Sequence, residues 1–208
     1  MCIEEEIPIA TVSFEEAQRL ADLGAILQDL KFTMATCLRL EKFLKEGSDD
    51  SLLIESLWTS ALIRYARCFA TGKRFGLDEK VFDGLEGEPI KTHKFYIDLR
   101  SKHIAHSVNP FEQMEVGLIL ASKTQKKKEI IGVATLSMRQ ISSNEDGVHQ
   151  LGLLAKVLAD KVAEYGKEYE RKVLEKGKTI PIDELYSASR PRITAPGPDL
   201  ASLARTKK

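Results

Sequence analysis

The chain has few features that would tie it to an oxidising compartment, a membrane or a structural metal. It contains only three cysteines, Cys2, Cys37 and Cys68. Their number is odd and no Cys-x-x-Cys spacing occurs, which argues against a disulfide framework and a structural zinc site. We expect reduced, mostly buried thiols. The best apolar run, residues 116–121, is far shorter than the roughly 20 residues that a membrane helix needs.

Net charge is also absent, because Lys+Arg and Asp+Glu both number 31. No overall field would attract nucleic acid or an anionic membrane, so any anion site must be local. Residues 4–6 are all glutamate, where a secretory signal needs positive charge. We therefore expect a cytoplasmic protein. The segment from Gly84 has neither the lysine nor the preceding strand of a phosphate loop, and His-Glu-x-x-His is missing, so we predict no cofactor and no metal.

Apolar residues recur at helical spacing over most of the chain. The pattern predicts a mostly α fold, an up-and-down four-helix bundle with a β-hairpin inserted after the third helix. Ser13 and Glu16 predict a capping box for a first helix that runs to about Glu46. A second helix follows residues 48–51 and is predicted to close at Gly72. Residues 72–90 are predicted to be a loop with a short helix near residues 78–82.

In the second half of the chain the spacing of apolar residues changes twice. A third helix is predicted from Pro89 until Asn109 and Pro110 end it. Strand-forming residues then flank a polar tip, which predicts the hairpin at about residues 114–138. Helical spacing returns near Asn144 for roughly thirty residues. We expect one domain over residues 1–177 and a mostly disordered tail over residues 178–208.

One segment is chemically dense. Residues 99–111 hold Arg100, His103 and His106, and the whole chain has only four histidines. A guanidinium binds phosphate oxygens in a fixed fork, and an imidazole transfers protons near neutral pH. The spacing predicts that these groups lie in the last turns of the third helix, so a functional site is expected there.

Arg100 and His106 are separated by five residues, the first of which is Ser101, and this pattern resembles the signature of the HEPN superfamily. Members of this family are helical bundles, and many are endoribonucleases in toxin, antiphage and RNA-processing systems. The resemblance implies that Arg100 contacts phosphate, that Ser101 supports it and that His106 is the general acid or base. It further implies a homodimer with a shared site, an RNA substrate, and a protein partner such as an antitoxin.

Helix geometry and the motif select different histidines. On an ideal α-helix His103 lies about 60° from Arg100, whereas His106 lies about 120° away. Either the last turn unwinds, or a second subunit supplies the other half of the site. The family resemblance favours the second explanation. His103 therefore stays a candidate beside His106.

Other interpretations remain open at this point. Arg100 could pair with Asp98 and serve only the helix end. A basic group near the end of the second helix is a candidate RNA-binding surface or simply a solvated helix edge; it consists of Arg64, Arg67, Lys73 and Arg74. The alternative to an enzyme is a non-catalytic dimerisation, interaction or nucleotide-binding module.

Overall fold

The fold is that of a mostly helical protein with a two-stranded antiparallel hairpin, as the sequence predicted. In the computed structural model the described residues are 7–70, 72, 74–105, 110–124, 126–189 and 197–198. The helices are α1 (Glu15–Lys45), α2 (Ser51–Arg67), α3 (Pro89–Leu99), α4 (Glu145–Gly177) and α5 (Ile182–Ser187), and the strands are β1 (Glu112–Leu120) and β2 (Ile130–Arg139). A 3-10 turn, Glu79–Phe82, lies in the predicted loop.

The hydrophobic core lies where α1 packs along α4 and against α2. Its fully buried side chains come from the inward stripes of these helices and include Ile26, Leu30, Leu62, Leu151 and Leu158. Helix α3 joins through Tyr96, whose hydroxyl donates to the carbonyl of Gly147 at the start of α4, at 2.6 Å. The end of α3 is thereby held against the main body.

Two of the helix starts are capped by side chains, but the predicted capping box is wrong. Helix α1 begins at Glu15 with Phe14 at the N-cap, so Ser13 lies one residue too early to cap it. Asp50 accepts a hydrogen bond from the Leu53 amide at 3.0 Å and caps α2. Asn144 caps α4 in the same way through the Gly147 amide.

Helix α2 ends at Arg67, five residues before the predicted glycine. The chain folds back there, because the Leu77 amide donates to the carbonyl of Cys68 at 2.8 Å. Gly76 permits this close approach, since a Cβ on it would lie 2.7 Å from the carbonyl oxygen of Ala70. The returning chain buries Val81 and Phe82 against the core.

The hairpin stands apart from this core. Glu112 pairs with Arg139 at its base, and Leu118 pairs with Val133 further along. Among the described residues the two strands pack chiefly against each other. Their large apolar side chains are therefore mostly exposed.

The predicted disordered tail needs a correction in its described part. Residues 182–187 form the short helix α5, which starts after Pro181 and has Asp183 and Glu184 in its first turn. Ser189 then makes a single β-bridge to Ala10. Residues 190–196 and 199–208 lie outside the described residues.

The thiols behave as predicted where the structure describes them. Cys37 and Cys68 are free and buried, and burial raises the pKa of each to about 12. Cys2 lies outside the described residues. In the part of the chain that the structure describes, no helix combines the length and the apolar character needed to cross a membrane.

Candidate functional site at the end of helix α3

Arg100 and Ser101, the first two residues of the motif, lie in a π-helical turn and not in the predicted α-helix. Helix α3 ends at Leu99, and Arg100–Ile104 continues as a π-helix. The Ala105 amide donates to the carbonyl of Arg100, five residues back, at 3.2 Å. The angles calculated for an ideal α-helix therefore do not apply here. Single π turns inside or at the end of helices are frequent at functional sites.

The motif residues have different surroundings in this turn. Arg100, Ser101 and His103 are half-buried, and Lys102 is exposed. Asp98 forms an ion pair with Lys102 at 3.0 Å, so this carboxylate holds the neighbouring lysine. His106 lies outside the described residues, and its convergence with Arg100 stays a prediction.

His103 faces a cavity of about 200 Å³ between α2, the π turn and the base of the hairpin. Its ring packs edge-to-face on Phe111, with the ring centroids 4.1 Å apart. Trp58 and Leu62 of α2 form the apolar wall. Arg100 is not among the described residues that line this cavity. The structure thus brings His103, but not Arg100, into the enclosed space.

An arginine from the hairpin lines this cavity instead. Arg139, the last residue of β2, lines it together with Glu55 of α2, and the two form an ion pair. The Arg139 Nε is also 4.0 Å from a carboxylate oxygen of Glu112. The sequence reasoning missed Arg139 and Glu55, because each lies more than thirty positions from His103 and no local spacing links them.

The predicted RNA-binding arginines converge on one buried carboxylate. Asp29 of α1 is 2% exposed. Its oxygens lie 2.8 Å from Arg64 Nη1, 3.2 Å from Arg74 Nη1 and 3.5 Å from Arg67 Nε. One negative charge thus faces three positive charges, and the cluster keeps a positive excess.

Exposure separates these three arginines. The side chain of Arg74 is 13% exposed and also donates to the carbonyl of Arg67, so its role here is structural. Those of Arg64 and Arg67 are 39% and 50% exposed. Arg64 also lies over the half-exposed ring of Phe32, 4.6 Å from its centroid. RNA binding by this surface stays a prediction, and Lys73 lies outside the described residues.

His93 is a residue of the hydrophobic core. It is 6% exposed, stacks near Phe69 with ring centroids 4.2 Å apart, and has its Nδ1 2.9 Å from the hydroxyl of Tyr65. Burial lowers the pKa of His93. Within the described ranges no group of three His, Cys, Asp or Glu side chains is arranged to hold a metal ion.

Comparison of the chain with protein-family models, with curated proteins and with solved structures found no match. The function of the protein is therefore inferred from the residues of the site. This site offers the His103 imidazole and the Arg139 guanidinium on one cavity wall, beside an irregular helical turn that holds Arg100 and Ser101.

Proposed function

We propose that this protein is a metal-independent endoribonuclease of the HEPN type, with its site at the end of α3. The proposal includes the scaffold, an up-and-down bundle of α1 to α4, supported by the packing of α1 on α4 and α2. The observation that carries it is the π turn Arg100–Ile104, which holds Arg100 and Ser101 of the motif and has His103 on a cavity wall.

The chemistry needs three groups. A base removes the proton from the RNA 2′-hydroxyl, whose oxygen attacks the adjacent phosphorus. A cation stabilises the added negative charge, and an acid protonates the departing 5′-oxygen. The products are a 2′,3′-cyclic phosphate and a free 5′-hydroxyl. Arg100, supported by Ser101, contacts the phosphate, and His106 and His103 are the candidates for proton transfer.

The remaining elements of the proposal come from the family resemblance. They are a homodimer that shares the site, action in a toxin or antiphage system, an antitoxin-like protein partner, and a cytoplasmic location where RNA is available. The partly exposed Arg64 and Arg67 would contact the RNA backbone, because their shared carboxylate leaves positive charge uncompensated.

The test is cleavage of single-stranded RNA by the purified full chain in EDTA. The wild-type protein is expected to release cyclic phosphate ends. Arg100→Ala and His106→Ala are each expected to lower the rate by about 100-fold or more, the usual contribution of a positioned acid or base. Lys102→Ala is the matched control, since Lys102 lies in the same turn, is exposed and pairs with Asp98.

Two further variants locate the site. His103→Ala and Arg139→Gln change side chains on the cavity wall, so a loss of rate in both would assign the reaction to this cavity. All variants are checked by thermal unfolding. Full activity in both Arg100→Ala and His106→Ala, or a wild-type protein that leaves RNA intact, would contradict the nuclease proposal.

A non-catalytic interaction module is the second candidate, and the exposed apolar hairpin favours it. This function predicts a folded protein that has no effect on RNA. Binding of a nucleotide without hydrolysis would instead appear as a rise in Tm with millimolar ATP.

A further inference from the structure

One face of the hairpin is mostly apolar beyond the Glu112–Arg139 pair, with Thr135 and Ser137 as its polar members, and no described residue covers it. Strand alternation and the observed pairing put six large side chains on this apolar face, namely Met114, Val116, Leu118, Leu120, Ile130 and Val133. Each of them is 59% to 75% exposed. Isolated two-stranded hairpins are marginally stable in water and need packing against a further layer. This face therefore requires a partner.

The opposite face is built differently. Leu136 lies across Gly117, with its Cδ1 3.8 Å from the position of a Cβ there, and Ile119 lies across Gly132 in the same manner. Gln113 and Glu115 add polar groups to this face, which also carries the exposed Met138. The two faces are thus unequal, and the apolar face is the one suited to a dry contact.

The edges of the hairpin are less suited to pairing with another strand. The turn carries Lys126, Lys127 and Lys128, and the register shifts between Ile119 and Leu120. Charged turns and bulges are common devices that prevent edge-to-edge pairing. Contact through the apolar face is the remaining mode.

The distribution of charge along the hairpin indicates which kind of molecule covers the apolar face. The tip is basic, with Lys126–128 offset only by Glu129. The base is acidic, because Glu112 and the nearby Glu55 outnumber Arg139, with which both form ion pairs. Two hairpins packed face to face in opposite directions would bring each tip over the other base. Packing in the same direction would oppose the two lysine clusters.

We propose that the apolar face of the hairpin packs on the same face of a second copy of this chain, in antiparallel orientation. The exposed area of the six side chains is roughly 700 Å² per copy, close to the about 800 Å² per partner of a standard stable interface. The contact is isologous, as in most homodimers. It does not depend on the proposed nuclease activity, which is measured separately.

The test is sedimentation velocity of the full chain over a range of concentrations. Leu118 and Leu136 are both 59% exposed and lie on opposite faces, which makes them a matched pair. Leu118→Thr is expected to raise the dimer Kd by about 100-fold, because both copies lose a buried leucine. Leu136→Thr is expected to change it by less than about 3-fold, although it removes the same side chain.

A charge exchange tests the orientation. One variant carries Lys126→Glu, Lys127→Glu and Lys128→Glu, and the other carries Glu55→Lys and Glu112→Lys. Each is expected to dimerise at least about 10-fold more weakly than wild type, because the tip and the base then repel. An equimolar mixture is expected to recover wild-type affinity as a heterodimer. Circular dichroism checks the helical fold of every variant.

Three results would overturn the proposal. The first is a wild-type protein that stays monomeric at about 100 µM, whether or not its lysine tip binds anionic phospholipid vesicles. The second is an equal effect of Leu118→Thr and Leu136→Thr. The third is a dimer whose Kd is unchanged by both charge variants.

Discussion

At the scale of single residues, the structure assigns charged and polar side chains to partners that spacing does not reveal. The arginines of α2 are recognisable in the sequence as a basic group. The carboxylate that they share is not, because Asp29 lies 35 positions before Arg64. Tyr65, which the spacing interleaves with them, is fully buried and offers no surface for a base to stack on. The exposed ring beside the cluster is Phe32 of α1.

His93 shows how burial assigns a role to one histidine. It is enclosed by Phe69 and Phe82, and its Nδ1 is 2.9 Å from the Tyr65 hydroxyl. Burial raises the pKa of Tyr65, so its hydroxyl stays protonated and can donate to the neutral imidazole. The same burial lowers the pKa of His93.

Stability is expected to depend on pH through His93. The folded chain binds its proton more weakly than the unfolded chain, in which the pKa is about 6.5. The unfolded state therefore takes up more protons as the pH falls below about 6.5, and the free energy of unfolding decreases until the folded pKa is passed. Thermal unfolding at pH 7.5 and 5.5 measures this decrease.

The comparison with a variant isolates the residue responsible. His93→Gln keeps a polar group near Tyr65 but does not titrate, so the decrease in Tm between the two pH values should shrink. An unaltered pH dependence in His93→Gln would show that another group is responsible.

At the scale of elements, the kind of structure is predictable and the ends of the elements are not. The apolar faces of α1, α2 and α4 are predictable from the sequence, because they follow from the spacing of neighbouring apolar residues. The same holds for the hairpin, where that spacing changes from helical to alternating. The π turn is not predictable, because Arg100–Ile104 has no composition that separates it from an α-helix. The extra residue in the turn is accommodated by packing against α2.

Helix caps provide a test of these boundaries. Asp50→Ala and Asn144→Ala are each expected to lower the free energy of unfolding by about 1 kcal/mol, because each removes an acceptor for an otherwise unpaired amide. Ser13→Ala is expected to change it by less than about 0.5 kcal/mol, since Ser13 is exposed and caps nothing. Urea unfolding measures all three. A decrease of about 1 kcal/mol in the free energy of unfolding of Ser13→Ala would instead support a capping box between Ser13 and Glu16.

At the scale of the whole molecule, the protein consists of a helical body and a projecting hairpin. The buried core is drawn from the helices and the segment that links α2 to α3, and none of the described strand residues belongs to it. Among the described residues the hairpin meets the body at its base, where Arg139 forms an ion pair with Glu55 and Phe111 contacts His103. Folding of the body should therefore be nearly independent of the strands.

Shortening the hairpin tests this independence. Residues 114–137 are replaced by Asn-Gly, which joins the paired residues Gln113 and Met138 by a two-residue turn. The helical circular dichroism signal is expected to persist, and Tm to change by no more than about 4 °C, which corresponds to about 1 kcal/mol in a chain of this size. Loss of cooperative unfolding would show that the hairpin is part of the folding unit.

The linear order of residues accounts for the helical class, the inserted hairpin, the short turn at Glu79–Phe82 and the buried thiols of Cys37 and Cys68, because each follows from local periodicity or from the chemistry of one residue type. The Asp29 cluster, the burial of His93 and the cavity shared by His103 and Arg139 arise only in the folded chain. These contacts join residues far apart in the sequence, and packing selects among many chemically equivalent partners.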